Sequence, residues 1–385
     1  MLNKRSKILF FGYPAKAMDY TGGFLWMKKV ADHIENSNRY SVLKSYAYGD
    51  SKKAIHRLFN KFYDLARIIV HSPDIAIIDA WGESSILLWF ILRTFQKNAK
   101  IFVVFHHYEQ RIPTRKNSIE IFYNFLIERI TSIMLKNSDI ILTVSKSSMR
   151  ELEFFYDIRN GKNKDDNIKI NGSRGILLKN INRNRNEIAI VGAGIDIDIL
   201  DAVINSKNKI DKKKDIDFLC MGRMEKFIHL EKIWMKIKTV RPNSNLVMIG
   251  PASSDTIDKL LSMGIDHRGF VSEEEKIDLS SRTKVFIFPS SREGFGIAVA
   301  EALFLGIPVV AWKIPVFDDL YSKNEEKKIK LVELGNWHLF ADECIKAIER
   351  YNWNQSDKKY KRASNIFPTW KNVAQNVISV IEYTK

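Results

Sequence analysis

The chain has 385 residues, 45% of them hydrophobic and 28% charged, which suits two ordinary globular domains and excludes a disordered or low-complexity protein. Its two cysteines, Cys220 and Cys344, stand far apart in no metal-ligand or redox spacing, which excludes a disulfide framework and fits a reducing, cytoplasmic setting. The formal net charge is +16, and residues 1–200 hold 31 Lys and Arg against 20 Asp and Glu; that bias favours anionic partners (lipid headgroups, nucleic acid or phosphorylated substrates) without choosing among them.

From the start of the chain, Met1 to Lys7 lead directly into Ile8-Leu-Phe-Phe11, too short an apolar stretch for a signal-peptide core, so no export signal is expected. Apolar, β-branched runs at Lys7–Gly12, Ile75–Asp79, Lys100–Phe105 and Ile140–Val144 read as buried strands with helical patterns between them. Such alternation predicts a parallel sheet covered on both faces. Two basic amphipathic stretches lie among these strands. In Lys52–Val70, Ile55, Leu58, Phe59, Phe62, Leu65 and Ile69 recur at helical spacing; in Arg111–Lys136, Ile119, Phe122, Leu126, Ile130 and Ile133 do so, with Ile121 and Phe125 widening the face. Each stripe either packs on the sheet or lies on an anionic membrane surface near a lipid-linked acceptor. The apolar run Ile86–Leu92 ends at Arg93, well short of the roughly 20 residues that span a bilayer, so no transmembrane helix is expected.

A polar stretch from Asn160 to Asn186 interrupts the pattern, and a charged one, Lys207–Asp215, precedes a fresh series of strands. The domain boundary is therefore placed there, giving a first domain over 1–206 and a second over 207–366. Gly192-Ala-Gly194 looks like the opening of a dinucleotide fingerprint, but Ile197 stands at the third glycine position, so it reads as a turn. The second series, Phe218–Met221, Asn245–Gly250, Lys284–Pro289 and Pro308–Trp312, predicts another doubly wound unit. Residues 367–385 form a closing segment in which Val373, Val377, Val380 and Ile381 mark a helix set apart by Phe367-Pro368.

The stretch Lys284–Trp312 carries the most chemistry: a strand, a turn (Pro289-Ser-Ser-Arg-Glu-Gly-Phe-Gly296), a helix ending near Gly306, and a strand opening at Pro308. Glu293 falls in the turn and Glu301 on the helix. Gly294 and Gly296 allow close backbone approach, and the unpaired N–H groups of the helix start offer donors to sugar or phosphate oxygens. A carboxylate accepts two vicinal hydroxyls at once, which suits ribose or hexose recognition. Taken alone, Glu293 reads as a loop acid and Glu301 as a surface residue; the glycines around them favour a binding role. His106-His107 follow the strand Ile101–Phe105, where open α/β sheets present ligand-binding groups.

The run Glu293-Gly-Phe-Gly-Ile-Ala-Val-Ala-Glu301-Ala-Leu, followed by Gly306-Ile-Pro-Val-Val, is similar to the E-x7-E signature of the retaining GT-B glycosyltransferases, the large group often called family 4. Phe218-Leu-Cys-Met-Gly222-Arg223 with Lys226 resembles that family's strand and phosphate-binding turn, and Arg268-Gly269-Phe270-Val271-Ser272-Glu its nucleobase loop. Ser138-Asp-Ile-Ile-Leu-Thr-Val-Ser145, Gly194-Ile-Asp196, the early Gly22-Gly23 and Phe367-Pro-Thr-Trp370 also fall where the family has landmarks. The resemblance runs from about residue 7 to 383. It implies a GT-B fold, two Rossmann-like domains facing a cleft, with the acceptor on the N-terminal domain, the nucleotide sugar on the C-terminal domain, and the last helix packing back on the first domain.

The resemblance also implies roles. Arg223 and Lys226, in the Gly222 turn, would neutralise the donor diphosphate, and Glu301 would hold the ribose. Glu293 with the Gly294, Phe295, Gly296 and Ile297 backbone would hold the transferred sugar. Phe270 and Val271 would line the nucleobase. Gly22 and Gly23 would let the first loop approach the donor phosphate or the acceptor, and either His106 or His107 would face the donor sugar. The expected activity is sugar transfer with retention from a nucleotide-diphosphate sugar to a glycan, lipid-linked or small-molecule acceptor. No metal or other cofactor is expected: of the Asp-x-Asp triplets that could hold a divalent ion, Asp196-Ile-Asp198 belongs to the Gly194 landmark and Asp215-Ile-Asp217 precedes a strand. The expected setting is cytoplasmic, with the inner face of an anionic membrane as a further partner. Two alternatives share parts of this pattern. One is a nucleotide-sugar 2-epimerase on the same fold. The other is a non-catalytic nucleotide-sugar or nucleic-acid binder, although no basic-aromatic RNA motif accompanies the basic first half and nucleic acid is not an expected partner.

Overall fold

The structure is a computed structural model; it describes residues 5–13, 22–46, 66–80, 83–108, 118–156, 167–168, 177–180, 187–200, 214–322, 328–350 and 367–384. Two compact units divide the chain: Met1–Gly194 with Trp370–Lys385, and Ile195–Thr369. The division at Gly194/Ile195 falls ahead of the 206/207 boundary expected from the charged stretch. A backbone reason is visible: Ile195 N donates to the Pro368 carbonyl and pairs as a bridge with Thr369, so the chain enters and leaves the second unit at one point.

In the first unit the strands β1 (Lys7–Tyr13), β2 (Ser41–Tyr46), β3 (Ile75–Asp79), β4 (Lys100–Phe105), β5 (Ile140–Thr143), β6 (Asn167–Ile168), β7 (Leu177–Asn180) and β8 (Glu187–Ile190) form one sheet in the order β2-β1-β3-β4-β5-β8-β7-β6. Six of these pair in parallel. The last two pair antiparallel beyond β8, so the polar 160–186 stretch contributes two short strands that its composition conceals. The continuous apolar runs of β3, β4 and β5 are almost wholly buried, as expected of strands covered on both faces.

The helices α1 (Gly22–Asn36), α2 (Glu83–Phe95), α3 (Ser118–Lys136) and α4 (Lys146–Tyr156) connect these strands. Chain order moves from β3 to β4, β5 and β8 in one direction across the sheet and from β1 to β2 in the other. Right-handed crossovers then put α2, α3 and α4 on one face and α1 on the opposite face.

The second unit holds β9 (Ile216–Met221), β10 (Leu246–Ile249), β11 (Ile265–Gly269), β12 (Thr283–Phe288), β13 (Val309–Lys313) and β14 (Ile329–Glu333), all parallel, in the order β11-β10-β9-β12-β13-β14. Its helices are α5 (Leu230–Val240), α6 (Ser254–Ser262), α7 (Glu273–Arg282), α8 (Ile297–Phe304), α9 (Pro315–Tyr321) and α10 (Trp337–Arg350). Ser253 and Ser272 cap α6 and α7 by accepting the N–H of Thr256 and Glu275. One core joins Phe218, Trp234, Phe286, Trp312, Phe317 and Phe340.

The closing helix α11 (Trp370–Tyr383) belongs to the first unit and packs on α1. Its buried face, Trp370, Val373, Val377, Val380 and Ile381, contains the periodic residues read from sequence. Asn376 Nδ2 donates to the Val191 carbonyl at 3.0 Å and Trp26 Nε1 to that of Gly192 at 2.9 Å, fixing both helices to the turn after β8.

Gly250 ends β10 at φ 129°, and a Cβ built there would lie 2.1 Å from the Gly222 carbonyl oxygen. Gly250→Ala is expected to lower unfolding stability by about 2–4 kcal/mol, combining backbone strain with an overlap that no rotamer relieves, measured by urea denaturation.

Candidate active site

In the second unit β9 comes first in the chain, β10 and β11 are added on one side and β12 to β14 on the other. The strand order reverses between β9 and β12, and ligands of open α/β sheets bind outside the carboxyl ends of the strands at such a point. The turn after β9 (Gly222 to Phe227) and the turn after β12 (Pro289 to Gly296) meet there. They are tied by main-chain bonds, Ile228 N to the Pro289 carbonyl at 3.0 Å and Ser291 N to that of Lys226 at 2.9 Å, with a Phe227–Ser290 antiparallel bridge. Phe227 packs edge-on against Phe288 and against Gly222.

This tie brings the expected residues together. Arg223 is half-buried at the start of a short 3-10 turn, Met224–Lys226. Lys226 is buried, with Nζ 3.6 Å from Glu293 Oε1. Ser290 Oγ lies 3.0 Å from both Glu293 Oε1 and the Arg292 carbonyl, a hydroxyl shared between them. Gly294 and Gly296 are buried, Phe295 and Ile297 half-buried. Gly296 caps α8 at φ 83°, and a Cβ there would meet the Phe317 ring at 2.4 Å, so both conformation and space require glycine. The first N–H groups of α8 point out of this turn and present partial positive charge.

Glu301, in the second turn of α8, is buried at 7% exposure. Lys276 on α7 donates to both its oxygens, at 3.0 and 3.1 Å, and forms a second ion pair with Glu273 at 2.8 Å. Burial pushes the Glu301 carboxyl above the usual carboxylate range, with Lys276 pulling against it. Burial disfavours the Lys276 charge too, but Glu301 and Glu273 outweigh it and hold the ammonium above its ordinary value. Glu301 is thus half of a buried ion pair and not the lone carboxylate read from sequence. Phe270, just past β11, is exposed and Val271 half-buried; Gly269 accepts the Gly250 N–H at 2.8 Å, placing the end of β11 beside the end of β10.

The first unit assembles its own cluster at its strand ends. His106, following β4, is buried, with Nε2 3.7 Å from Asp79 Oδ2 at the end of β3 and no hydrogen-bond partner for that nitrogen among the described residues. Trp26 meets its ring edge-on, and a Cβ at Gly23 would lie 3.0 Å from it. Gly22 is exposed at the start of α1. His107 turns elsewhere: it is half-buried, with Nδ1 3.1 Å from the Tyr108 carbonyl oxygen.

Three contributors escape the sequence reading. Asp79 sits at a strand carboxyl end, a position that could have marked it. Ser290 and Lys276 have no such signal, because Lys276 reaches Glu301 across 25 residues of chain. The second Asp-x-Asp triplet is occupied at the opening of β9: Asp217 pairs with Lys284 at 2.7 Å and Asp215 with Arg282 at 2.7 Å.

Residues 203–365 match the family described as Glycosyl transferases group 1. The second unit is thus similar to that family over most of its length, and the chain has the two-Rossmann-unit GT-B fold. Among curated relatives, the O-antigen chain mannosyltransferase RfbU of Salmonella typhimurium is 28% identical over 184 residues, 41% of this chain and 48% of that protein. The chain spans less than half the length of the curated relatives it matches. Among solved structures, sucrose-phosphate synthase (tll1590) from Thermosynechococcus elongatus superposes with a TM-score of 0.68 at 13% identity over 99% of both chains. Anabaena Alr3699/HepE in complex with UDP-glucose does so at 0.66 and 13% over 98% of this chain and 99% of its own.

The Glu301–Lys276 pair gives a pH-dependent prediction. In Lys276→Met the buried Glu301 charge loses its counter-ion, which costs about 3–5 kcal/mol for a broken buried pair. The folded-state pKa of Glu301, already above its unfolded value, then rises further. A raised carboxyl favours the folded state below the unfolded pKa and loses that contribution as pH rises through the folded pKa. The deficit of Lys276→Met against wild type is therefore expected to be large at pH 7 and to shrink at pH 4, in denaturant unfolding at the two values.

Proposed function

We propose that this chain is a retaining glycosyltransferase that takes its sugar from a nucleotide-diphosphate sugar held by the second unit. The observation that carries this reading is the meeting, at one strand-order reversal, of the turn that bears Arg223 and Lys226 with the turn that bears Glu293, Lys226 Nζ lying 3.6 Å from Glu293, ahead of the helix that carries Glu301. Two similar proteins point the same way, an O-antigen chain mannosyltransferase and a structural neighbour in complex with UDP-glucose.

In this reading Arg223 and Lys226 face the diphosphate. Charge accumulates on its leaving oxygen as the glycosidic bond breaks, so fixed cations there act on the transition state more than on the ground state. Glu293 and the backbone from Gly294 to Ile297 hold the sugar hydroxyls, and Glu301, paired with Lys276, accepts from the ribose. The acceptor oxygen forms the new bond to the anomeric carbon on the face that the phosphate leaves, and its proton passes to a phosphate oxygen. No protein nucleophile is then required and configuration is retained. The two cations supply the charge neutralisation that a divalent ion would otherwise provide, so the reaction is proposed to be metal-independent. The proposed acceptor is a glycan or lipid-linked sugar, reached from the inner face of an anionic membrane.

Calorimetric titration with UDP-, GDP-, ADP- and dTDP-sugars, with and without EDTA, tests this. One nucleotide class is expected to bind, indifferent to chelator, with affinity lost in Glu301→Ala. Arg223→Ala is expected to lower turnover by about a hundredfold to a thousandfold, the range for removing one transition-state charge donor. Binding that requires a metal and survives both substitutions would refute the proposal, and so would release of an epimerised nucleotide sugar without an acceptor.

A further inference from the structure

The helix α3 is apolar on two opposite faces. Ile127, Thr131, Met134 and Leu135 are buried toward the sheet, whereas Ile121, Phe122, Phe125, Leu126 and Ile133 are 43–66% exposed on the other side. Phe122, Leu126 and Ile133 belong to the stripe for which sheet packing was one of the two readings from sequence; the structure turns them outward. The neighbouring α2, on the same side of the sheet, exposes Leu87, Phe90 and Phe95 at 49–71%. The other stripe, Lys52–Val70, lies outside the described residues before position 66. A helix apolar all round is at home only where both sides are covered, and an exposed apolar layer of this extent marks an interaction surface.

The most exposed charges around this layer have one sign. Lys97, Arg129, Lys136, Lys146 and Arg150 are exposed, while Glu120, Glu128, Asp139, Glu151 and Glu153 are half-buried. Several of the acids are held inward: Glu128 accepts from the Tyr108 hydroxyl at 2.8 Å, Glu151 from the Tyr108 N–H, and Asp139 from Arg93 at 2.8 Å. Among the described residues from Leu87 to Phe155, every exposed charge is cationic. A second copy of the chain would meet this surface with the same cations across a two-fold axis, whereas an anionic lipid surface complements both the apolar helices and their charges.

We propose that the outer surface of α2 and α3 is the docking face for an anionic bilayer, with Phe90, Phe122 and Phe125 entering between lipid headgroups and Arg129 and Lys136 lying against lipid phosphates. No helix among the described residues is long and apolar enough to cross a membrane, so attachment at this face is peripheral. The inference deepens the membrane part of the proposed function and does not depend on sugar transfer.

Sedimentation of the full chain with vesicles tests it. Binding is expected to vesicles of equal parts phosphatidylglycerol and phosphatidylcholine, to weaken at least about tenfold with pure phosphatidylcholine or high salt, and to weaken at least about tenfold in Phe122→Ser/Phe125→Ser. Phe125→Leu, which keeps the apolar surface, is expected to bind as wild type, and both variants to retain the wild-type unfolding midpoint and nucleotide-sugar affinity. No binding by wild type, or undiminished binding by the folded double serine variant, overturns the proposal. So does a concentration-dependent dimer in sedimentation velocity that the double variant abolishes while vesicle binding persists. Because nucleotide-sugar affinity is read separately, loss of the docking face and loss of the donor site give different results.

Discussion

The geometry of the candidate site depends on the main-chain tie between two turns at the carboxyl ends of adjacent parallel strands. Parallel strands deliver their turns to one edge of the sheet, but they do not by themselves join them. Here the carbonyls of Pro289 and Lys226 accept N–H groups from the opposite turn, so Arg223 and Lys226 share a rigid frame with Glu293. A side chain carried by an independent loop would lose positional precision, and the electrostatic stabilisation of a leaving group depends on donors already in place. The close passage of Gly250 against Gly222 belongs to the same constraint, since the β9 turn can lie low only if β10 ends without a side chain.

The ionisable groups of this unit are organised in pairs. Lys226 stands by Glu293, and Lys276 is divided between Glu301 and Glu273. Burying a carboxylate such as Glu301 is costly unless a cation and hydrogen bonds compensate it, and Lys276 supplies both. The carboxylate is thereby held desolvated and oriented. In the first unit Asp79 and His106 are brought close but not into hydrogen-bond contact, beside a helix start that has no side chain at Gly23.

Much of this was legible in the chain itself. The buried strands announce themselves as continuous apolar runs, and the two glycines with two glutamates between β12 and β13 mark the turn and helix that form around them. Strands β2, β8, β11 and β14 were not among those read from the pattern; β8 is only four residues long, and the burial of β11 and β14 is mixed, as at sheet edges, where hydrophobic continuity weakens. The hairpin of β6 and β7 was concealed for a similar reason, since its residues lie in a stretch whose composition reads as loop.

The sequence by itself determined the alternation of strand and helix, the two doubly wound units, and the residue types at the strand ends, because periodicity and glycine placement are local properties of the chain. Tertiary structure decided which of two adjacent histidines joins Gly23 and Asp79, that Lys276 closes on Glu301, and which side of α3 is covered. Each of these rests on the packing of elements distant in sequence. An amphipathic pattern states that a helix has an apolar face, but in α3 both faces are apolar, and only the sheet against which Met134 and Leu135 pack selects the one left outside.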